Sequence, residues 1–467
     1  MASQYQSASW EPSLNRISKV PMVKTLQSNP SERLRASNSD ETHPMSVLSP
    51  MTRAFMKNTA LGNACRCSFN LEPNTINLNQ NCYGTAIKPV LQAQAHFVDR
   101  MEMNPDRFFR KECPGLLRSA ATELARFLDA NADDVVFVTN ATTGINAVLR
   151  SVDLQEGDEV ICLDLTYPAV LNTLRHLCYC TQEFVELKVV DVHLPIESYD
   201  ALVKNVESSI TKNTRLAVLD HIASSTGFVL PLKQLISMFH ARNIPVLVDG
   251  ASAPGQLPLS LRNIGADFYV GTCYKWLFGS KSCSFLYVSK DFQNTVQPVV
   301  TSLGYGQGFI EDFAIQGTRD ECNFLTIITA LDCYRSIGPA RIYAHNKALM
   351  DWASAYLANL WSTYELLPPW QRAPFVSNIQ LPIDISDVQC GKALTQENIS
   401  SICSVLMDLL MDRFGILVRV AFFQGAFFVR ISAQIYNERS DYEQLGAAIL
   451  DITRGKPLCD YFSDLII

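Results

Sequence analysis

Ile244-Pro-Val-Leu-Val-Asp249-Gly-Ala-Ser-Ala-Pro-Gly255, followed by Asp267-Phe-Tyr-Val-Gly271 and Thr272-Cys-Tyr-Lys275-Trp276, is the stretch on which the reading of this chain turns. The apolar run before Asp249 has the length and composition of a strand buried on both faces, and it ends in a carboxylate. Turn formers and small residues fill the positions up to Gly255. A second short strand over 267–271 then delivers a lysine just past its end.

Outward from this centre, strand and helix patterns alternate. Leu116 to Leu128 carries helical spacing, 134–139 reads as a strand, and Asn140-Ala141-Thr142-Thr143-Gly144 opens a helix over Ile145 to Arg150. The runs 159–163 and 216–219 are further strands, leading into Asp164-Leu-Thr-Tyr167-Pro168 and Asp220-His221-Ile-Ala-Ser224-Ser-Thr-Gly227. Such alternation predicts an α/β fold with a mainly parallel central sheet. Residues 1–70, rich in Ser, Asn and Pro, read as a disordered extension. A large domain is expected over 71–337, with 71–105 as its lead-in segment, and a smaller α+β C-terminal domain over 338–467, starting at Gly338-Pro339.

Composition narrows the function. At 467 residues, 48% of them hydrophobic, the chain can bury a large interior, and a net charge of −7 offers no basic footprint for nucleic acid. No apolar run reaches the roughly 18 residues of a membrane span. The 14 cysteines include no Cys-x-x-Cys pair, and several sit inside apolar runs (Cys162, Cys283, Cys333), as small hydrophobes do. Neither a metal site nor a disulfide framework is expected, and the reading is a reduced, cytoplasmic protein. Arg16, Arg33 and Arg35 raise the alternative of a mitochondrial transit peptide, which Glu11, Glu32, Asp40 and Glu41 argue against.

A carboxylate at one strand end and a lysine beyond the neighbouring strand suit pyridoxal 5'-phosphate (PLP). The carboxylate pairs with the pyridine nitrogen, and the lysine condenses with the aldehyde. The turn Ala141-Thr142-Thr143 offers backbone N–H groups and hydroxyls to a phosphate at a helix N-terminus, although the same residues also suit an ordinary cap. Leu303-Gly-Tyr-Gly-Gln-Gly308 lacks the flanking strand and helix of a nucleotide fingerprint and is rejected as one.

Several motifs together resemble the class V aminotransferase superfamily of fold-type I PLP enzymes: Val248 through Leu259, Gly265-Ala-Asp-Phe-Tyr269, Tyr274-Lys-Trp-Leu277, Gly317-Thr318-Arg319-Asp320 and Arg430-Ile-Ser-Ala-Gln-Ile-Tyr-Asn437. The last motif, with Leu78-Asn-Gln-Asn81-Cys-Tyr83-Gly84, is similar to the isopenicillin N epimerase-like branch, which also holds cysteine desulfhydrases and hercynylcysteine sulfoxide lyases. The resemblance implies that Lys275 is the Schiff-base lysine and catalytic base, with Lys281 as its competitor. It implies further that Asp249 keeps the ring nitrogen protonated, that Ala251 lets the ring sit close, and that Tyr167 stacks on it. Ser224 is placed near the phenolic oxygen; Thr272 is a phosphate ligand, and Tyr274 stands where relatives carry His. His221 reads equally as a structural histidine or a participant. Gly317 and Thr318 are implied to reach the phosphate of a neighbouring subunit, making a homodimer with shared sites. Arg430 would clamp the substrate α-carboxylate in two parallel hydrogen bonds. Asn81 and Tyr83 lie on the substrate side, Asn81 replacing a Gly of the pattern.

The expected activity is carbon–sulfur β-elimination from cysteine or a cysteine conjugate through a Cα carbanion. Epimerisation and transamination use the same residues and stand as alternatives. Desulfuration through Cys322 is disfavoured by its place in the sequence. A catalytically idle scaffold is the alternative from another class, motivated by the departures at Asn81, Ser252, Tyr274 and Ser282.

Overall fold

Alternate residues of the apolar runs go to opposite sides of one sheet, and this alternation builds the fold. After a two-residue strand β1 (Ile76–Asn77) come β2 (Val135–Val138), β3 (Glu159–Leu163), β4 (Glu186–Val190), β5 (Thr214–Asp220), β6 (Val246–Asp249), β7 (Phe268–Thr272) and β8 (Ser284–Val288). The last seven form a single sheet in the order β2-β8-β7-β6-β5-β3-β4. Neighbours are parallel except at β8, which runs antiparallel to both β2 and β7. Val246 and Val248 point into one core with the helices Cys113–Leu128 and Leu232–His240, whereas Leu247 points into another with the helix Ala141–Leu149. All residues of β2, β3, β6 and β7 are buried, which is why their sequences read as continuous apolar runs.

The computed structural model describes residues 48–180, 184–389 and 395–455. A second, smaller sheet lies in the C-terminal part. The strands β9 (Val376–Gln380), β11 (Arg419–Phe423) and β12 (Ala426–Ser432) pair antiparallel in the order β11-β12-β9, while the short β10 (Ile416–Leu417) pairs with β1. Val420, Val429 and Ile431 pack with the helices Pro339–Trp361, Gln396–Phe414 and Arg439–Gly455. The other face of this sheet, carrying Arg430, is left for the site.

The expected extension over 1–70 needs correction at its C-terminal part; residues 1–47 lie outside the described residues. Ser49 caps a helix over Pro50–Asn58, accepting from the Thr52 N–H at 3.1 Å, and Arg53 pairs with Asp332 at 2.6 Å. Cys65 and Phe69 are buried, the Phe69 ring lying 5.0 Å from that of Tyr436. Polar composition hid this segment because its anchors are single residues at irregular spacing, with no continuous stripe.

Candidate active site

Asp220 ends β5 and Asp249 ends β6, and the register of these strands sets the two carboxyls side by side at the C-terminal edge of the sheet. In open parallel sheets that edge is where ligands bind. Both residues are buried. Asp249 Oδ1 accepts the Ala251 N–H at 2.9 Å, folding the small-residue turn back over the strand end. Burial pushes the Asp249 carboxyl above its usual range, against the pull of Ala251 N–H and of Lys275. Asp220 is held well above the usual carboxylate range, first by burial and then by the negative charge of Asp249.

Lys275 enters just beyond β7, only 8% exposed, and its Nζ donates to Ser252 Oγ at 3.2 Å. Burial depresses its ammonium pKa to about 8; Asp249 opposes this and the Arg430 cation reinforces it. Lys281, the competing lysine, is exposed and donates to the Gly84 carbonyl at 3.2 Å. Lys275 lines the cavity and Lys281 does not.

A wall of the cavity comes from the helix beginning at Ala141. Asn140 Oδ1 accepts the Thr143 N–H at 2.8 Å, and the Gly144 N–H goes to the Asn140 carbonyl. This leaves the N–H groups of Ala141 and Thr142, the first two of the helix, for another acceptor. Tyr167 stands on the connection leaving β3, just before the helix Pro168–Cys180, and Ser224 on the turn after β5.

The roof is assembled from distant parts of the chain. Gln80 donates to the Lys275 carbonyl, accepts from the Tyr436 hydroxyl at 2.8 Å, and donates its own N–H to Ser432 Oγ at 2.7 Å. Asn77 Nδ2 donates to Tyr436 Oη at 2.9 Å. Gly84 has φ +64°, and a Cβ there would meet the Tyr274 carbonyl oxygen at 1.9 Å, so this glycine is required for the roof to lie on the lysine segment. Arg430, on β12, donates to the Ser224 carbonyl, to Asn79 Oδ1 at 3.1 Å and to Cys82 Sγ at 2.8 Å. Asn81 Oδ1 accepts from Trp276 Nε1 at 3.2 Å, while its buried Nδ2 has no partner among the described residues.

Together these elements enclose a cavity of about 330 Å³. Of the residues singled out from sequence, Lys275, Asp249, Ala251, Ala141, Thr142, Tyr167, Ser224, Tyr274, Arg430, Asn81 and Tyr83 line it. Thr143 stands one step behind, held by the Asn140 cap. Thr272 is buried, and its hydroxyl donates to the carbonyl of the cavity residue Ala251 at 2.6 Å. Gly317 and Thr318 are exposed and outside this cavity. His221 bonds the Tyr269 hydroxyl at 2.8 Å, burial lowers its pKa to about 4, and it does not line the cavity. Asp220, Ser252, Cys82 and Arg419 also line the cavity and were not assigned from sequence. The signal for Asp220 was present, a second carboxylate at a strand end; its importance depends on sheet order.

These groups fit PLP. A buried carboxyl and a buried amine of lowered pKa share one cavity with unclaimed N–H groups at a helix N-terminus and the phenol of Tyr167. Among the described residues, no group of three or more His, Cys, Asp or Glu could hold a metal ion, and no helix is long and apolar enough to cross a membrane.

The family model "Aminotransferase class-V" matches residues 78–445, and the chain belongs to that family. Similar proteins include the L-cysteine desulfhydrase-like protein lolT2 of Epichloe uncinata, 29% identical, with 82% of this chain and 91% of the relative covered. The hercynylcysteine sulfoxide lyase of Schizosaccharomyces pombe is 26% identical over 85% of this chain and 98% of its own. An isopenicillin N epimerase of Amycolatopsis lactamdurans is 27% identical, covering 85% and 99%. Among solved structures, the cystine C–S lyase C-DES in complex with cysteine persulfide matches with a TM-score of 0.68 at 19% identity, covering 81% of this chain and 98% of that one. A cysteine desulfurase from Thermococcus onnurineus NA1 matches with a TM-score of 0.66 at 16% identity, covering 85% and 99%. The architecture is accordingly that of the fold-type I PLP enzymes.

Proposed function

We propose that this chain is a PLP-dependent carbon–sulfur lyase that eliminates the sulfur substituent of cysteine or a cysteine conjugate. The observation that carries the reading is the convergence of Lys275, Asp249 and Arg430 on one cavity in a class V chain. Relatives named for cysteine desulfhydrase and sulfoxide lyase activity, matched over most of their length, support the choice of reaction.

Lys275 and Asp249 would hold the cofactor, with the amides of Ala141 and Thr142 toward its phosphate. When bound, PLP supplies an electron sink for the pair left at the substrate Cα. Arg430 binds the α-carboxylate: a guanidinium can present two parallel N–H groups to two oxygens, and its present acceptors are uncharged carbonyl groups and a cysteine sulfur. Lys275 takes the Cα proton, which an amine titrating near 8 can do at neutral pH, and Ser252 Oγ holds the Nζ in place. The Cβ–S bond then breaks with its electron pair on sulfur. With one water added, cysteine yields pyruvate, ammonia and hydrogen sulfide.

Cys322 is fully buried and outside the cavity, which argues against sulfur transfer through it. The exposure of Gly317 and Thr318, and of the apolar side chains Val299, Val300, Leu303 and Tyr305 earlier in the chain, supports a homodimer in which the segment around Gly317 reaches the partner's site. The two sheets, each with its own core, support a division into domains near residue 338. Cysteines 162, 283 and 333 are buried without a disulfide, in keeping with a reducing, cytoplasmic setting.

The test is product analysis with the PLP-loaded protein and L-cysteine. Pyruvate and sulfide in equal amounts, absent with Lys275→Ala, are expected. D-cysteine without pyruvate would make the protein an epimerase, and a keto acid retaining sulfur an aminotransferase. A PLP absorbance band that no amino acid alters would leave the idle scaffold.

A further inference from the structure

We infer that the cavity accepts a substrate with a second anionic group on its sulfur substituent, and that Arg419 binds this group. The inference rests on the lyase reading above and adds the class of conjugate. Arg419 on β11 stands directly opposite Arg430 on β12, and both line the cavity. Residues directly opposite in an antiparallel pair project from the same face, and like charges so placed are destabilising.

Two other arginines with little exposed side chain are matched with acids. Arg372, buried like Arg430, pairs with Asp351 at 2.6 Å and Glu365 at 2.5 Å, and Arg319 with Glu321 at 2.7 Å. Among the described residues no Asp or Glu lies within 4.0 Å of Arg419 or Arg430. Arg419, an exposed residue, has a single hydrogen-bond partner among the described residues, Met407 Sδ at 3.9 Å. The substrate's own carboxylate satisfies one guanidinium. The other, nearer solvent, calls for a second anion, and Ala421, two residues along the same face, leaves room beside it.

The experiment compares S-carboxymethyl-L-cysteine with its neutral near-isostere S-carbamoylmethyl-L-cysteine on the PLP-loaded full-length protein. In each, the Cβ–S bond breaks with its electron pair on sulfur. Mercaptoacetate or its amide leaves, and one water completes pyruvate and ammonia. Binding is read separately from the change in the visible absorbance band on titration. A charge-assisted contact at a partly exposed site predicts that the acid is favoured about tenfold in both kcat/KM and Kd. The preference should shrink in 1 M salt, fall to about one in Arg419→Gln, and survive in part in Arg419→Lys, which also guards against a folding artefact.

An acid-to-amide ratio near one in the unaltered protein overturns the inference, as does an unchanged ratio in Arg419→Gln. Tighter, Arg419-dependent binding of the acid without pyruvate from either compound would support the anionic subsite and sink the lyase reading. Equal turnover of both compounds would do the reverse.

Discussion

The floor and the roof of the cavity are made in opposite ways. The floor is local: Asp249, Ala251, Ser252 and Lys275 fall within 27 residues, delivered by two adjacent parallel strands. The roof joins residues 77–84 to residues 430–437 through buried amide and hydroxyl groups, with partners more than 340 positions apart. The chemistry sits where sequence neighbours are also spatial neighbours. The geometry that confines it depends on contacts that exist only in the completed fold.

Breaking the floor should cost the most. Lys275→Ala removes both the proton acceptor and the covalent anchor, so turnover should fall by at least the roughly 10²–10⁴-fold of a lost general base. The visible absorbance of bound PLP should change with it. Lys281→Ala should do far less, because its amine lies on the Gly84 carbonyl outside the cavity. Equal losses in the two variants, measured as pyruvate release, would refute the assignment.

Next in size is the point where the roof meets the substrate. Arg430→Lys keeps the charge and loses the fork, so kcat/KM should drop about 10–100-fold, the equivalent of one charged hydrogen bond. Most of the loss should fall on KM if Arg430 binds the carboxylate equally before and during reaction. A fall confined to kcat would place Arg430 in the chemistry instead.

The contrast also accounts for what could be read in advance. Asp249 and Lys275 were legible because an apolar run ending in a charge has few interpretations. Gln80 was not, since nothing in a polar stretch reveals that its amide will bridge Lys275 and Tyr436. Arg430 was found through its motif, whereas Ser432 and Tyr436 in the same motif passed without a role although they hold the roof. Asp220 was seen as a strand end and missed as a neighbour of Asp249, because register is a property of the sheet.

A milder perturbation of the floor is available through pH. The Lys275 amine titrates near 8, below the ordinary 10.5, so between those values the folded protein holds fewer protons than the unfolded chain. Stability from this group therefore rises with pH across that window and is at its lowest below about pH 8. Activity follows the free amine: proton removal should rise about fivefold from pH 7 to pH 8 and level off above it. Asp249→Asn deletes the anion that holds the amine's pKa up, and should move the limb to lower pH. A limb that stays in place would mean that another group is titrating.

The roof can be loosened without touching a group assigned to the chemistry, and there the expected effect on turnover is smallest. Tyr436→Phe deletes one hydroxyl that donates to Gln80 Oε1 and accepts from Asn77 Nδ2, all in buried surroundings. Two polar atoms then lose their partner, a cost of about 1–3 kcal/mol for each that finds no other, visible as a lower melting temperature. Gln80 would still donate to the Lys275 carbonyl, so kcat at saturating substrate should change by less than about threefold, under 1 kcal/mol of barrier. If the roof only closes the cavity, stability and turnover will separate in this way. A larger loss of turnover at unchanged stability would mean that the network from Tyr436 through Gln80 sets the position of Lys275, and that floor and roof act as one unit.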